Sequence, residues 1–327
     1  MESATSHGTK ALDAARVESE SGARAPDAAA SAGWTRRAVR RNMLVMSCCF
    51  ALGEAALVSV IVLSGAALAG DPHVAALSNS VLYLGFVVFS LGAPALHEWL
   101  GSDRRAFVLG LAAINLYALS KMTTSDELQI MGAVASGFGG AMLWIAEGAF
   151  LTKLALIDAG CEPQLSPAAS ASQLSGIFAT ILPISLTMCK LLASAVLIPY
   201  GHRPDAIRYL LGLYALVGML AALCMHVRSL ATLERNLSLD MALLAPNNVA
   251  FGLATGLVPS HGARIVVQAL GAGHVGWLFA LSGLLAATTA AALSPLSSWR
   301  GRAFATSTGA LAFAATGLLC AWLGPEV

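Results

Sequence analysis

Long apolar stretches make up most of the chain from Met43 onward, and short polar breaks separate them. A membrane-spanning helix needs about 20 mostly apolar residues. Cut at the polar breaks, the chain yields nine candidate spans, at 43–69, 77–96, 106–120, 128–151, 174–198, 209–225, 241–258, 275–293 and 303–323. The pattern therefore predicts an all-α polytopic membrane protein with about nine transmembrane helices.

The composition agrees with this prediction. Of 327 residues, 57% are hydrophobic and 11% are charged, whereas about 25% are charged in a typical soluble domain. The formal net charge is +1 and no long basic stripe is present, so a nucleic-acid partner is not expected. The six cysteines fall mostly in apolar runs and the seven histidines are scattered. We therefore predict no metal site, no cofactor and no enzyme, and the lipid bilayer as the main environment.

The segment 1–42 is rich in Ala, Ser, Gly and mixed charge, and we predict a disordered cytoplasmic tail. Four arginines near its end, Arg36, Arg37, Arg40 and Arg41, lie next to the first span. With the amino terminus inside, eleven cations face the cytoplasm and four face the other side. The positive-inside rule therefore favours a cytoplasmic amino terminus. Which membrane the chain occupies is left open.

The spans also repeat. The first three begin at residues 43, 77 and 106, and the last three begin at 241, 275 and 303. The order and spacing recur after about 200 residues, and WLGSDRRAF at 99–107 stands against WRGRAF at 299–304. These features predict two parallel halves: a complete six-helix bundle at 43–226, a cytoplasmic linker at 227–240 and a partial second bundle of three helices at 241–327.

Two halves with a short loop carrying Glu98, Gly101, Arg104 and Arg105 resemble the major facilitator superfamily. The resemblance implies a major-facilitator-like helical bundle with the first half complete. It also implies a second half that lacks three helices after the ninth span.

A closer resemblance is to the Unc-ninety-three-like, or ion-channel regulatory protein, branch of that superfamily. It rests on GAPALHEWLGSDRRAFVLG at 92–110, GGAMLWIAEGAFLT at 139–152, LSGIFATILPISLTMCKLLAS at 174–194, and LAPNNVAFGLATG with ALGAGHVGWLFA at 244–256 and 269–280. Trp144, Gly148 and Leu151 form its most distinctive piece. The resemblance implies a protein that associates with and regulates a channel or receptor.

Three charged residues fall within predicted spans: Glu54, Glu147 and Lys190. A charge near the bilayer centre costs about 2.5 to 3.5 kcal/mol on insertion scales, so each of these residues is expected to have an ion-pair partner or a functional role. Glu54 and Lys190 are compatible with an ion or proton path and equally with a structural pair. For Glu147 a structural or interfacial role is favoured.

Other polar or small residues also have two interpretations. Gly132, Ser136 and Gly140 recur every fourth position and predict close helix packing rather than a substrate groove. Asn247 and Asn248 begin the seventh span, and His261 and Arg264 follow its end. They either line a cavity or mark the ordinary ends of a short helix.

The sequence thus leaves two functions open. One is a non-enzymatic regulator of a channel or receptor, which the closer resemblance implies. The other is a secondary-active carrier for a small solute, which the wider superfamily implies.

Overall fold

The computed structural model describes residues 34–66, 72–162, 164–200 and 203–227, with isolated positions between 277 and 311. The first 33 residues, the linker and nearly all of the partial second bundle lie outside the described residues. The described part contains six helices: α1 (Arg36–Ala66), α2 (Pro72–Leu100), α3 (Asp103–Ser120), α4 (Asp126–Cys161), α5 (Pro167–Tyr200) and α6 (Pro204–Val227). Each corresponds to one of the first six predicted spans.

Five of these six helices are long and apolar enough to cross a membrane, and α3 falls short of that requirement. Three charged residues, Asp103, Arg104 and Arg105, occupy the first turn of α3 and lower the mean hydropathy of its 18 residues. At about 1.5 Å per residue it still spans about 27 Å. The chain is thus an all-helical multi-pass membrane protein in its described part, whereas an arrangement of nine helices stays a prediction.

All six helices are longer than their predicted spans, and the extensions of α1 and α4 have a clear cause. The first begins at Arg36, inside the predicted tail, because Thr35 caps it by accepting a hydrogen bond from the Ala38 amide at 3.3 Å. The fourth continues to Cys161, about ten residues past its predicted end. Lys153 and Asp158 read as a polar break in the sequence, but both have partners of opposite charge in the bundle. Charge pairing therefore removes the reason to end the helix.

The connections follow local rules. Gly101 ends α2 with φ +62°, and its amide donates to the Glu98 carbonyl at 3.0 Å; glycine adopts this left-handed conformation without steric cost. Ser125 caps α4 by accepting from the Leu128 amide. Pro167 occupies the first position of α5, where its missing N–H costs nothing.

The helices pack in a symmetric pattern. The fourth helix packs mainly on α2 and α3, the first packs mainly on α5 and α6, and α3 also packs on α6. Exchanging α1 with α4, α2 with α5 and α3 with α6 leaves this pattern of neighbours unchanged. The most buried spans are α1 and α4, and the least buried is α2. The core of the described bundle therefore lies around α1 and α4.

Glycines bring α4 close to both α2 and α3, as the predicted close packing at Gly132, Ser136 and Gly140 requires. A Cβ at Gly132 would lie 2.1 Å from Ser120 Oγ of α3, and one at Gly140 would lie 2.9 Å from the Phe86 ring of α2. Gly137 and Gly139 approach the backbones of α2 and α3 in the same way. Close packing is thus confirmed for Gly132 and Gly140.

Candidate functional site

A small cavity lies where α1, α2 and α4 meet in the bundle interior. Its lining is largely apolar, with Glu54, Ser136 and Tyr83 as polar members, and its remaining residues are Leu57, Val58, Ile61, Leu82, Phe86, Gly140 and Trp144. Its volume is about 20 Å³, enough for about one water molecule. The cavity therefore places one predicted intramembrane carboxyl against a predicted packing serine.

Two polar atoms that line this cavity have no hydrogen-bond partner within the described part of the chain. These are Glu54 Oε2 and Ser136 Oγ. Glu54 is 7% exposed and Ser136 is fully buried. Buried polar atoms are almost always hydrogen-bonded in native proteins, so two exceptions on one cavity call for an explanation.

The other two predicted intramembrane charges do not line the cavity. Glu147 is buried on α4, one turn beyond Trp144, and Lys190 is buried on α5. Lys190 follows Cys189, whose carbonyl accepts a hydrogen bond from Tyr214 of α6 at 2.6 Å. The structural and ion-path interpretations of Glu147 and Lys190 both stay predictions.

An aromatic cluster joins α1, α4 and α5 beside the cavity. Phe50, one turn before Glu54, packs edge-to-face on Trp144 and on Phe178, with ring centroids 4.8 and 5.0 Å apart. Trp144 and Phe178 also pack edge-to-face at 6.0 Å. This geometry is favourable for aromatic pairs and fixes Trp144 in the cavity wall.

The second candidate site, here called the Asp103 cluster, consists of His97, Asp103 and Lys153. Lys153 Nζ of α4 lies 2.9 Å from both carboxylate oxygens of Asp103, and His97 Nε2 of α2 lies 2.9 Å from Asp103 Oδ1. All three side chains are nearly buried. Burial alone would raise the pKa of Asp103, but His97 and Lys153 outweigh it, and the pKa lies below its ordinary value.

The predicted loop motif surrounds this cluster without forming it. Glu98 and Arg105 are exposed, Arg104 is half-buried, and Gly101 makes the turn between α2 and α3. Sequence reasoning missed Asp103, His97 and Lys153 as a set, because His97 and Lys153 lie 6 and 50 residues from Asp103. The sequence signal that could have identified this set is the presence of opposite charges at the ends of helices that are neighbours in the fold.

A further ionic cluster ties the start of α1 to the α4–α5 connection. Arg36 Nε lies 3.5 Å from Asp158 Oδ1, and Arg36 also pairs with Glu162 and donates to Gln173 Oε1 at 2.9 Å. Ser170 donates to Asp158 Oδ2 at 2.7 Å. Arg36, one of the four arginines on which the predicted cytoplasmic amino terminus rests, therefore also holds α1 to α4 and α5.

Lys121 lies at the opposite end of the bundle, immediately after α3, and is 5% exposed. Its ammonium donates to Ser78 Oγ at 2.5 Å and to Gln129 Oε1 at 3.0 Å, and lies 5.1 Å from the centre of the Tyr117 ring. No carboxylate pairs with it among the residues that the structure describes. Burial lowers its pKa to about 8.

We expect Lys121→Met to remove a pH dependence of stability. The folded pKa of about 8 lies below the ordinary 10.5, so between these values the unfolded chain binds more protons and wild-type stability rises with pH. Below pH 8 the penalty is fully present, on the order of 2 to 3 kcal/mol. Thermal unfolding in detergent from pH 7 to 10.5 measures it. Parallel curves for wild type and Lys121→Met would contradict this expectation.

The remaining predicted site residues, Asn247, Asn248, His261 and Arg264, lie outside the described residues, so their cavity-lining role stays a prediction. Within the described ranges, no group of three or more His, Cys, Asp or Glu side chains is placed to hold a metal ion.

Comparison with known families gives one match. A family model described as "Ion channel regulatory protein UNC-93" matches residues 71–192, which cover α2, α3, α4 and most of α5. No curated protein and no solved structure matches the chain. The match contains the stretches at 92–110 and 139–152 on which the predicted resemblance rests, together with Ser136 and the Asp103 cluster. Over these helices the chain is similar to ion channel regulatory proteins of the UNC-93 family.

Proposed function

We propose that this chain is a non-enzymatic membrane protein that associates with an ion channel or receptor in the bilayer and regulates it. The observation that carries the proposal is the match of residues 71–192 to the UNC-93 family of ion channel regulatory proteins. The match favours regulation over the solute-carrier alternative, because it concerns a regulatory family.

The geometry of α2 supports association within the membrane. This helix is the least buried of the described spans, and Leu84, Val88 and Leu91 are each more than half exposed. Their spacing of four and three residues places them on one face. In a bilayer such a face is available for contact with lipid or with another membrane protein, and it belongs to the matched region.

We also propose a major-facilitator-like arrangement with a cytoplasmic amino terminus. The symmetric packing of α1–α3 against α4–α6 supports the assignment of α1–α6 as the first six-helix half, since nested three-helix repeats are typical of that superfamily. Thr187 of α5 donates a hydrogen bond to the Ala280 carbonyl at 3.3 Å, which supports contact between the bundle and the later spans. The orientation rests on the distribution of cations.

Co-expression with ion channels tests the regulatory function. The full chain is expressed with each member of a panel of cloned cation and anion channels, and whole-cell current and surface density of the channel are recorded. We expect the chain to change the current of at least one channel and to carry no current alone. No effect on any channel, together with solute uptake by the purified chain in liposomes, would favour the carrier instead.

Paired tryptophan variants sharpen this experiment. Leu84→Trp with Val88→Trp enlarges the exposed face of α2, whereas Leu216→Trp with Leu220→Trp makes the same change on exposed positions of α6, outside the matched region. We expect the α2 pair to lose the effect on the channel and the α6 pair to keep it. Equal loss in both pairs would show that α2 is not the contact.

A further inference from the structure

At the cavity between α1, α2 and α4, one carboxyl oxygen and one hydroxyl have no hydrogen-bond partner in the described part of the chain. Glu54 Oε2 and Ser136 Oγ have no partner in the described part of the chain, and apolar or aromatic side chains supply most of the lining. Burying an unpaired polar atom is unfavourable, and burying an unpaired charge is far more so. Both atoms need a ligand that the cavity can hold.

The size and the donor set of the cavity limit that ligand. The water-accessible part of the cavity, about 20 Å³, has room for about one water molecule. Bound calcium takes about six to eight oxygen ligands and magnesium demands near-octahedral coordination, whereas the side chains here present one carboxyl, one serine hydroxyl and the Tyr83 phenol. The side chains of the described lining are therefore too poor in oxygen for calcium or magnesium.

Among the described residues, the lining also contains no cationic side chain. Tyr83 is the other ionisable residue that lines the cavity in the described ranges. The buried ionisable groups on the remaining helices packed against α1 lie elsewhere: Tyr117 on α3, Glu147 on α4, Cys189 and Lys190 on α5, and Tyr214 on α6. A carboxylate at this position would face no positive charge from the described side chains that line the cavity.

We propose that Glu54 and Ser136 form a proton-binding site, in which the Glu54 carboxyl takes up one proton from solvent and shares it with Ser136 Oγ. The neutral acid donates a hydrogen bond to one water molecule in the cavity, and that water donates to the Ser136 hydroxyl. This satisfies both unpaired atoms without a buried charge. The site is independent of the proposed channel association. Glu54 lies outside the residues that match the family model, whereas Ser136 lies within them.

Proton binding at Glu54 makes the packing of these helices depend on pH. Loss of the proton leaves a carboxylate between three helices with no cation in the described lining of the cavity, so the cavity has to admit further water or the helices have to separate. Because α1 packs mainly on α5 and α6 while α2 packs mainly on α4, the contact of α1 with α2 and α4 is the one that yields most readily. The proton therefore stabilises the contact of α1 with α2 and α4.

Infrared difference spectroscopy of the full chain in detergent tests the site. The carbonyl stretch of a protonated carboxyl is separate from that of a carboxylate, so the protonated form is observed directly. At neutral pH we expect one such band to be lost in Glu54→Gln and shifted in Ser136→Ala. Glu147→Gln makes the same change at a buried carboxyl outside the cavity, and the band sensitive to Ser136→Ala should persist there.

Stability measurements keep the test informative if the bands overlap. Since Gln resembles a neutral carboxylic acid in shape, Glu54→Gln should fold with a thermal midpoint equal to or above that of wild type. Three results would overturn the proposal. They are no band loss in Glu54→Gln across the neutral pH range, displacement of the band by sodium at constant pH, and a lower midpoint in Glu54→Gln that Lys190→Met restores.

Discussion

Asp103→Asn is expected to destabilise the described bundle by about 3 to 5 kcal/mol, the range found when one partner of a buried ion pair is removed. Asp103 Oδ1 and Oδ2 each lie 2.9 Å from Lys153 Nζ. The Lys153 side chain is 12% exposed, so the ammonium would remain buried without its counter-charge. The loss should appear as a lower thermal midpoint and a lower yield of folded protein in detergent.

The double variant separates pairing from packing. Lys153→Met alone should also be destabilising, because it leaves the Asp103 carboxylate with His97 as its remaining partner. Asp103→Asn combined with Lys153→Met should cost less than the sum of the two single changes, since neither charge is then left unpaired. Additive losses would contradict a direct interaction.

Exposed residues of the same loop provide the control. Glu98→Gln and Arg105→Gln alter charges that belong to the predicted loop motif but lie at the surface. Each should change stability by less than about 0.5 kcal/mol, as surface substitutions usually do. An effect as large as that of Asp103→Asn would mean that the whole motif, and not the buried cluster, stabilises this end of the bundle.

The pH dependence of this cluster follows from the low pKa of Asp103. Because the folded pKa lies below the ordinary 3.8, the ionised cluster contributes stability at every pH above that ordinary value. The contribution is lost as pH falls below 3.8 and through the folded pKa. The cost of Asp103→Asn should therefore decrease in acid, as the pH falls below 3.8.

The six described helices could be predicted from apolar runs because a helix in lipid has to satisfy its backbone internally over the full bilayer thickness. Their ends were less predictable. Lys153 and Asp158 suggested the end of the fourth span, but their partners Asp103 and Arg36 come from distant parts of the chain. A hydropathy profile treats each charged residue as isolated, whereas in the folded bundle these residues form ion pairs.

The candidate site could be predicted only in part, for a similar reason. Glu54 stood out because a carboxyl in an apolar run is costly, and no comparable penalty marks Ser136, which resembles any small packing residue. The structure places the two on one cavity. That juxtaposition depends on how α1 and α4 are rotated, and a single sequence with weak amphipathic patterning does not specify rotation.

Gly139→Leu should be as damaging as the loss of Asp103, at about 4 kcal/mol or more, because overpacking against a backbone has no easy relief. A Cβ at Gly139 would lie 2.7 Å from the Gly110 carbonyl oxygen and 2.8 Å from the Ile114 amide nitrogen of α3. Both are helix backbone atoms, so α3 and α4 would have to separate as whole helices. The smaller change Gly139→Ala should cost about 1 to 3 kcal/mol.

Gly92 provides the matched control for this contact. It lies on the exposed face of α2, and a Cβ there would meet no atom within 4 Å. Gly92→Ala should be neutral or stabilising by up to about 1 kcal/mol, since alanine favours a helix over glycine, and Gly92→Leu should be tolerated. The midpoint of thermal unfolding in detergent distinguishes the two positions. If Gly139→Leu unfolded at the same temperature as Gly92→Leu, then close contact of α3 with α4 would not limit the stability of this bundle.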